Sequence, residues 1–422
     1  MSAPHRADDA VAGRPTTGTP RGDRTSEPAA GHPARVVVDL EAVRQNAAVL
    51  VDRARATGAE VMAVVKADGY GHGLLPSARA AVAGGATWLG VAQVPEALEL
   101  RAAGIQVPVL AWLYSPATDL GPAVASGVDL SVSAPWALHR VVAGAAAVGR
   151  PARIHLKVDT GLGRGGATPA DWDELVDAAA RARAGGAVEV VGVWSHMACA
   201  DEPTHPTVLA QRGVFIAALA VAEAAGLQPL VRHLANSAAT LTAAETHFDL
   251  VRPGLAVYGL SPVPQLASAA ELGLRPAMSL EADLVLVKQV PAGQGVSYAH
   301  AYTTPAATTL GLVPLGYADG VPRHAGGTGP VQVGPLRTAV AGRVCMDQFV
   351  VDLGPGSSAR AGDRVVLFGP GTDGEPTAQD WADAAGTISY EIVTRISSRL
   401  PRTHLGDVGA HGRPPAQPEP RR

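Results

Sequence analysis

The stretch Val61-Met62-Ala63-Val64-Val65-Lys66-Ala67-Asp68-Gly69-Tyr70-Gly71-His72-Gly73 places a lysine directly behind a continuous apolar run. A run that short and that apolar reads as a strand buried in a barrel or sheet, so Lys66 falls where the strand meets its loop. Two readings of the lysine fit. Its amine could form an imine with a cofactor aldehyde. It could equally be a core-edge lysine whose amine reaches water.

Outward from this stretch one rhythm repeats. Short apolar strands are predicted at 36–38, 61–65, 88–91, 109–112, 130–132, 154–158, 190–193 and 231–234. Helical spacing fills 40–56, 74–83, 94–103, 172–184 and 211–225 between them. Strands that are apolar throughout are expected where both faces are buried. Sustained alternation with helices argues for a parallel (β/α)8 TIM-type barrel over 35–275. A doubly wound open sheet is the competing reading, weakened because no Gly-x-Gly-x-x-Gly follows the first strand.

Near Arg275 the rhythm changes. Strands at 280–290, 308–312, 331–333, 336–340, 348–352 and 364–368 follow one another with glycine-rich turns, which predicts a mainly antiparallel β domain over 276–404. The first strand, near 36–38, is a candidate to pack with that domain. Residues 1–34 and 405–422 are rich in Pro, Gly, Ala and Arg and are expected to be disordered.

Composition excludes several classes. The formal net charge of -4 gives no basic surface for nucleic acid. Cys199 and Cys345, the only cysteines, form no disulfide framework and fit a reducing compartment. No membrane span and no apolar signal core is read, so a cytoplasmic location is expected.

Polar groups recur at the ends of the barrel strands: Lys66, then Lys157, Asp159 and Arg164, then His196, then His233, Asn236 and Ser237, then Arg252. In a barrel such ends share one mouth. Many donors with few carboxylates suit an anionic ligand such as a phosphate monoester. Asn236-Ser237 and Gly254-Leu255 could hold that phosphate with a hydroxyl and backbone amides. Ser237 could instead be a plain helix cap, and His196 a core-edge histidine. His196, His205 and His233 lack close metal-ligand spacing, so no metal is assigned.

Seven blocks in order resemble the bacterial alanine racemases. They are Ala63 to Gly73, Lys157 to Arg164, His233 to Ser237, Val251 to Gly259, Gly295 to Tyr298, Pro314 to Gly320 and Gly342 to Gln348. The resemblance covers about Val36 to Arg402. It departs at Asp68-Gly69, where the common family form has Asn-Ala, and in the N-terminal extension.

The resemblance implies pyridoxal 5'-phosphate held by Lys66 as an internal aldimine. Lys66 and Tyr298 would then be catalytic bases on opposite faces. Arg252 would bond the pyridine nitrogen, with His196 beside it. Tyr70, Ser237, Tyr390 and the amides around Gly254-Leu255, next to Asn236, would hold the phosphate. Arg164 would contact the cofactor's phenolic oxygen and, with the Met346 amide, hold the substrate carboxylate, with Tyr317 at the entrance and Asp347 on the same loop. Lys157 matches a lysine that is often carbamylated. The resemblance further implies a homodimer with shared active sites, since the tyrosine side comes from the other subunit. The implied activity is interconversion of L- and D-alanine for peptidoglycan. A serine-type or broader racemase, a barrel decarboxylase and a non-catalytic cofactor-homeostasis barrel are the alternatives. Tyr298, Tyr317 and Met346-Asp347 argue against the last.

Two bases flanking a planar carbanion remove and return a proton with little motion. An arginine at the ring nitrogen keeps its own proton and leaves the ring a modest electron sink.

Overall fold

The computed structural model describes residues 31–228 and 231–406. The segments expected to be disordered lie outside these residues, except at their inner ends. There Ala34 opens a strand and Leu405 closes one.

The chain begins with β1 (Ala34–Asp39). Then come β2 (Glu60–Val64), β3 (Trp88–Gln93), β4 (Val109–Leu113), β5 (Asp129–Val132), β6 (Ala152–Lys157), β7 (Val188–Trp194), β8 (Val231–His233) and β9 (Leu250–Val251). Among the described residues β2 to β9 form one eight-stranded sheet in the order β8-β7-β6-β5-β4-β3-β2-β9, and the assigned pairs are all parallel. Its two ends meet, because Asp249 N donates to Arg232 O at 3.0 Å and Arg252 N donates to Ala235 O at 2.9 Å. This is the predicted (β/α)8 barrel. Leu130, Val132, Ile154, Leu156 and Val193 are wholly buried on its helix-facing side, and Met62, Leu110 and Leu250 are wholly buried in a separate cluster within it, as strands covered on both faces require.

The outer helices follow their apolar spacing. In helix Leu40–Arg55 the buried residues Leu40, Val43, Ala47, Leu50 and Ala54 form one stripe, and Asp39 caps the start through Ala42 N. Helix Pro206–Ala224 is long and apolar enough to cross a membrane by length and composition. It lies on the barrel, with Phe215 and Leu219 turned inward and Gln211 buried against Thr160 and His196 O.

The second part comprises β10 (Met278–Asp283), β11 (Leu286–Val290), β12 (Gly295–Val296), β13 (Tyr302–Thr303), β14 (Thr308–Val313), β15 (Pro330–Val333), β16 (Leu336–Ala339), β17 (Phe349–Asp352), β18 (Arg364–Phe368) and β19 (Arg402–Leu405). A six-stranded sheet has the order β16-β15-β18-β10-β1-β19, and a three-stranded one the order β11-β14-β17. β1 therefore belongs here, antiparallel to β10 with Val36 opposite Leu280, and parallel to β19.

Three features differ from the sequence expectation. The single strand expected over 280–290 is two, broken at Leu284-Val285, where the chain leaves one sheet for the other. Helices Ala378–Ala385 and Ser389–Thr394 follow β18. The two-residue β9 is too short to show any periodicity.

Candidate active site

After β2 the chain enters a left-handed turn. Ala67, Asp68, Gly69 and Tyr70 have φ of 55°, 53°, 60° and 53°. Each non-glycine residue there costs roughly 1–2 kcal/mol, so neighbours must hold the turn. Ala67 N donates to Glu96 Oε1 at 2.6 Å, and Leu74 N donates to Asp68 Oδ1 at 2.8 Å. Glu96 Oε2 also accepts from Ala92 N and Gln93 N. Asp68 thus serves as an acceptor, a part an asparagine at this position could also play. At Gly69 a Cβ would lie 2.8 Å from Ser77 Oγ.

The turn brings Lys66 Nζ to 5.9 Å from the Tyr70 ring and 5.9 Å from the Trp112 ring. Burial, then the charge of Arg164, lowers the Lys66 amine below its usual range, with Glu96 opposing. Tyr70 is buried, its ring 4.9 Å from Tyr258 and 6.4 Å from Tyr390. Tyr390 comes from helix Ser389–Thr394 of the second part, and burial followed by Asp201 raises its phenol to about 12.

Beside Tyr70 lies a set of amides and hydroxyls. Ser237 Oγ accepts from Gly254 N at 2.8 Å and from Ala256 N at 3.4 Å. Asn236, not Ser237, caps helix Ser237–Thr242, through Ala239 N. Leu255 opens the 3₁₀ turn Leu255–Tyr258, whose first amides have no partner within the turn.

Four cations converge on this mouth. Arg252 is buried and donates through Nη2 to Ser195 O at 2.6 Å, Leu234 O at 3.2 Å and His196 Nδ1 at 3.3 Å, and through Nη1 to His233 Nδ1 at 3.4 Å. All four acceptors are uncharged. Burial pulls its guanidinium down to about 9, which leaves it charged at neutral pH. Its Cζ lies 4.8 Å over the Trp194 ring, and Lys157 Nζ lies 4.4 Å over the same ring. Burial, then Arg252 and Arg164, lowers the Lys157 amine to about 8. Arg164 is exposed, on a loop whose Gly161, Leu162 and Gly163 amides all donate to Asp159 Oδ1. Burial, then Arg252 and the other three cations, hold His196 well below the usual imidazole range, so it is neutral.

The remaining candidates form a second group. Tyr298 is 69% exposed, Met346 54% and Tyr317 41%. Tyr317 N donates to Cys345 O at 3.0 Å and Ala318 N to Met346 O at 2.9 Å, which stitches those two loops together. Ser297, at φ 61°, anchors Tyr298's turn by donating to Arg343 O at 2.8 Å. Asp347 accepts from Arg399 Nη1 at 2.9 Å. Among the described residues no hydrogen bond, ion pair or ring contact joins Tyr298, Tyr317 or Met346 to Lys66, Arg164 or Arg252. The candidates thus fall into two groups with no such contact between them.

His205 caps its own helix through Thr207 N and takes no part in either group. Sequence reasoning missed Glu96, Trp112, Trp194 and Tyr258. The scarcity of aromatics, 4% of the chain, was the one signal that could have singled out the last three.

A closed barrel with a lysine at its mouth, joined to a β domain with exposed aromatic groups, defines the two-domain barrel class of enzymes. Its family follows from comparison. The family "Alanine racemase, N-terminal domain" matches residues 38–262, and "Alanine racemase, C-terminal domain" matches 277–404. The chain belongs to the alanine racemase family. It is 61% identical over 375 residues to the alanine racemase of Beutenbergia cavernae, covering 89% of this chain and 98% of that one. Against the alanine racemase of Streptomyces coelicolor it is 59% identical over 379 residues, covering 89% and 96%. The crystal structure of alanine racemase from D-cycloserine-producing Streptomyces lavendulae superimposes with a TM-score of 0.87 at 58% identity, covering 89% of this chain and 97% of that one.

Proposed function

We propose that this chain interconverts L-alanine and D-alanine with pyridoxal 5'-phosphate held at Lys66. The carrying observation is the buried Arg252, presented to the barrel mouth among uncharged acceptors and beside three more cations. Such a mouth suits an anionic group. Gly254, with no Cβ, lets the Tyr70 hydroxyl lie close to its backbone, beside the Ser237 hydroxyl, which supports these groups acting together on a phosphate.

When bound, the cofactor supplies an aldehyde for Lys66 and a ring that stabilises charge on the substrate Cα. Ser237, Tyr70, Tyr390 and the Gly254-Leu255 amides would hold its phosphate, and Arg252 its ring nitrogen. Arg252 donates there and keeps its proton. Arg164 and the Met346 amide orient the amino-acid carboxylate. Lys66 Nζ, its affinity for protons reduced by burial, moves the α-proton on one face. Tyr298 Oη moves it on the other, which supports a two-base exchange with little motion.

Tyr298, Tyr317 and Met346 lie exposed, and among the described residues no hydrogen bond or ring contact ties them to Lys66. We infer that a second copy brings them over the barrel mouth, in a homodimer with shared sites. The neutral form of Lys157 reacts with carbon dioxide, releasing one proton and leaving a carbamate anion beside Arg164. The D-alanine formed serves peptidoglycan synthesis in the cytoplasm.

The test is racemisation of alanine, serine and lysine by the chain loaded with pyridoxal phosphate. Alanine is expected to turn over fastest; faster serine or lysine would overturn the substrate reading.

A further inference from the structure

Behind Arg252 a line of hydrogen bonds runs through the inside of the barrel. Arg252 Nη1 lies 3.4 Å from His233 Nδ1, His233 Nε2 lies 2.9 Å from His155 Nδ1, and His155 Nε2 lies 3.2 Å from Asp129 Oδ2. Arg252 is 4% exposed and the other three are 0% exposed. Asp129 begins β5, His155 is in β6 and His233 ends β8, so the line leads from the opposite end of the strands up to the site. At its lower end Arg153 forks onto Asp129, with Nε–Oδ1 at 2.7 Å and Nη2–Oδ2 at 3.2 Å.

The proton positions follow from the two ends. A guanidinium only donates and a carboxylate only accepts. From the Arg252 end, His233 Nδ1 must accept, so the His233 proton is on Nε2. That proton points at His155 Nδ1, so the His155 proton is also on Nε2 and faces Asp129. Working back from Asp129 gives the same assignment. Every contact then has one donor and one acceptor, and both imidazoles are neutral. Burial, then Arg252 and His155, hold His233 well below the usual imidazole range. The ring planes are fixed as well. Trp194 stacks on His233 with an interplanar angle of 2°, and Trp88 meets His155 edge-on at 85°. Gly192 leaves room for His155, since a Cβ there would lie 2.8 Å from His155 Nδ1.

A buried cation with no carboxylate against it depends on how well its neutral acceptors are held. We propose that Asp129, His155 and His233 are positioning residues, a one-way hydrogen-bond chain that keeps His233 Nδ1 an acceptor and so fixes Arg252 in the site. This deepens the function proposed above and rests on it only for the cofactor measurement.

Asp129→Asn tests it with almost no change of shape. Arg153 Nε holds Oδ1 at 2.7 Å, whereas Oδ2 accepts from Arg153 Nη2 and His155 Nε2 at 3.2 Å each, so the amide oxygen keeps the short charge-assisted contact and the NH2 takes the Oδ2 place, facing His155. His155 Nε2 must then accept, both imidazole protons move to Nδ1, and His233 meets Arg252 donor to donor. The tautomers are read from 15N-histidine spectra of the full chain with and without pyridoxal phosphate. His155→Gln and His233→Gln identify the two signals. The expected result is Nε2–H for both residues in the unsubstituted chain and Nδ1–H in Asp129→Asn. Pyridoxal phosphate affinity should weaken about 10- to 100-fold, as when an outer partner that orients a ligating side chain is lost. Adding Arg153→Leu frees the amide oxygen for His155, and both readouts should return toward the original values. Unchanged tautomers, shifted tautomers with unchanged affinity, or no recovery in the double variant would each overturn the proposal. If Asp129→Asn does not fold, a His233 proton found on Nδ1 in the unsubstituted chain overturns it alone. An unsubstituted chain that takes up no pyridoxal phosphate overturns the functional reading instead, and the tautomers then decide the chain of bonds.

Discussion

A Cβ placed on Gly254 would lie 2.2 Å from the Tyr70 hydroxyl. Position 254 therefore admits no side chain unless Tyr70 moves. Tyr70 cannot move freely, because it is buried against Tyr258 and Tyr390. Overpacking of this kind costs about 1–3 kcal/mol. We expect Gly254→Ala to weaken pyridoxal phosphate binding by about tenfold or more while the chain stays folded. A fluorescence titration with the cofactor, beside a thermal melt, measures both. Unaltered affinity would mean that Tyr70 and Gly254 do not face the phosphate.

Tyr298 is mostly exposed, so its hydroxyl can be removed without harm to the core. Tyr298→Phe should keep cofactor bound covalently to the protein and lose about 10²- to 10⁴-fold in turnover, the range for a lost acid–base group. Lys66→Ala should instead lose the covalent attachment, read by borohydride fixation and peptide mapping. The two inactive variants, expressed together, also test the subunit arrangement. If each site takes Lys66 from one copy and Tyr298 from the other, mixed dimers regain one intact site, and random pairing restores about a quarter of wild-type activity. No recovery would place both residues in one chain's site.

Lys157 gives a pH dependence. Its amine is lowered to about 8, chiefly by burial, so about a tenth is neutral at pH 7 and about nine-tenths at pH 9. Only the neutral amine takes up carbon dioxide. Stimulation of racemisation by bicarbonate should therefore grow as pH rises through that value and vanish in Lys157→Ala. The same stimulation in the variant would remove Lys157 from the explanation.

Asp129 links stability to acid. Burial alone would raise its carboxyl, but hydrogen bonds from His155 and Arg153 outweigh it and the group lies below the usual range. A depressed carboxyl contributes stability above its unfolded value of about 3.9, and that contribution is lost as pH falls through the folded value. Asp129→Ala leaves Arg153 and His155 without their acceptor and should cost ~3 kcal/mol at pH 7. Denaturant melts should show the gap to the unsubstituted chain closing below about pH 4. A gap that stays constant into acid would mean the carboxylate is not the source.

The sequence alone made the barrel legible, because most of its short strands are largely apolar and the pattern is local; the two-residue β9 carried no such pattern. The sequence also set Lys66 at a strand end and placed most of the polar groups that now share the mouth. Adjacent residues carry that information without reference to distant ones. The break at Leu284-Val285 escaped notice because both strands it separates have similar composition, and only their different partners, β10 with β1 and β11 with β14, distinguish them. The approach of Tyr70 to Gly254, the line from Asp129 to Arg252, and the exposure of Tyr298 were likewise decided by tertiary structure. Each depends on which strands and loops become neighbours after the chain closes, and a bare Cα or a histidine tautomer has no meaning until the atom across from it is known.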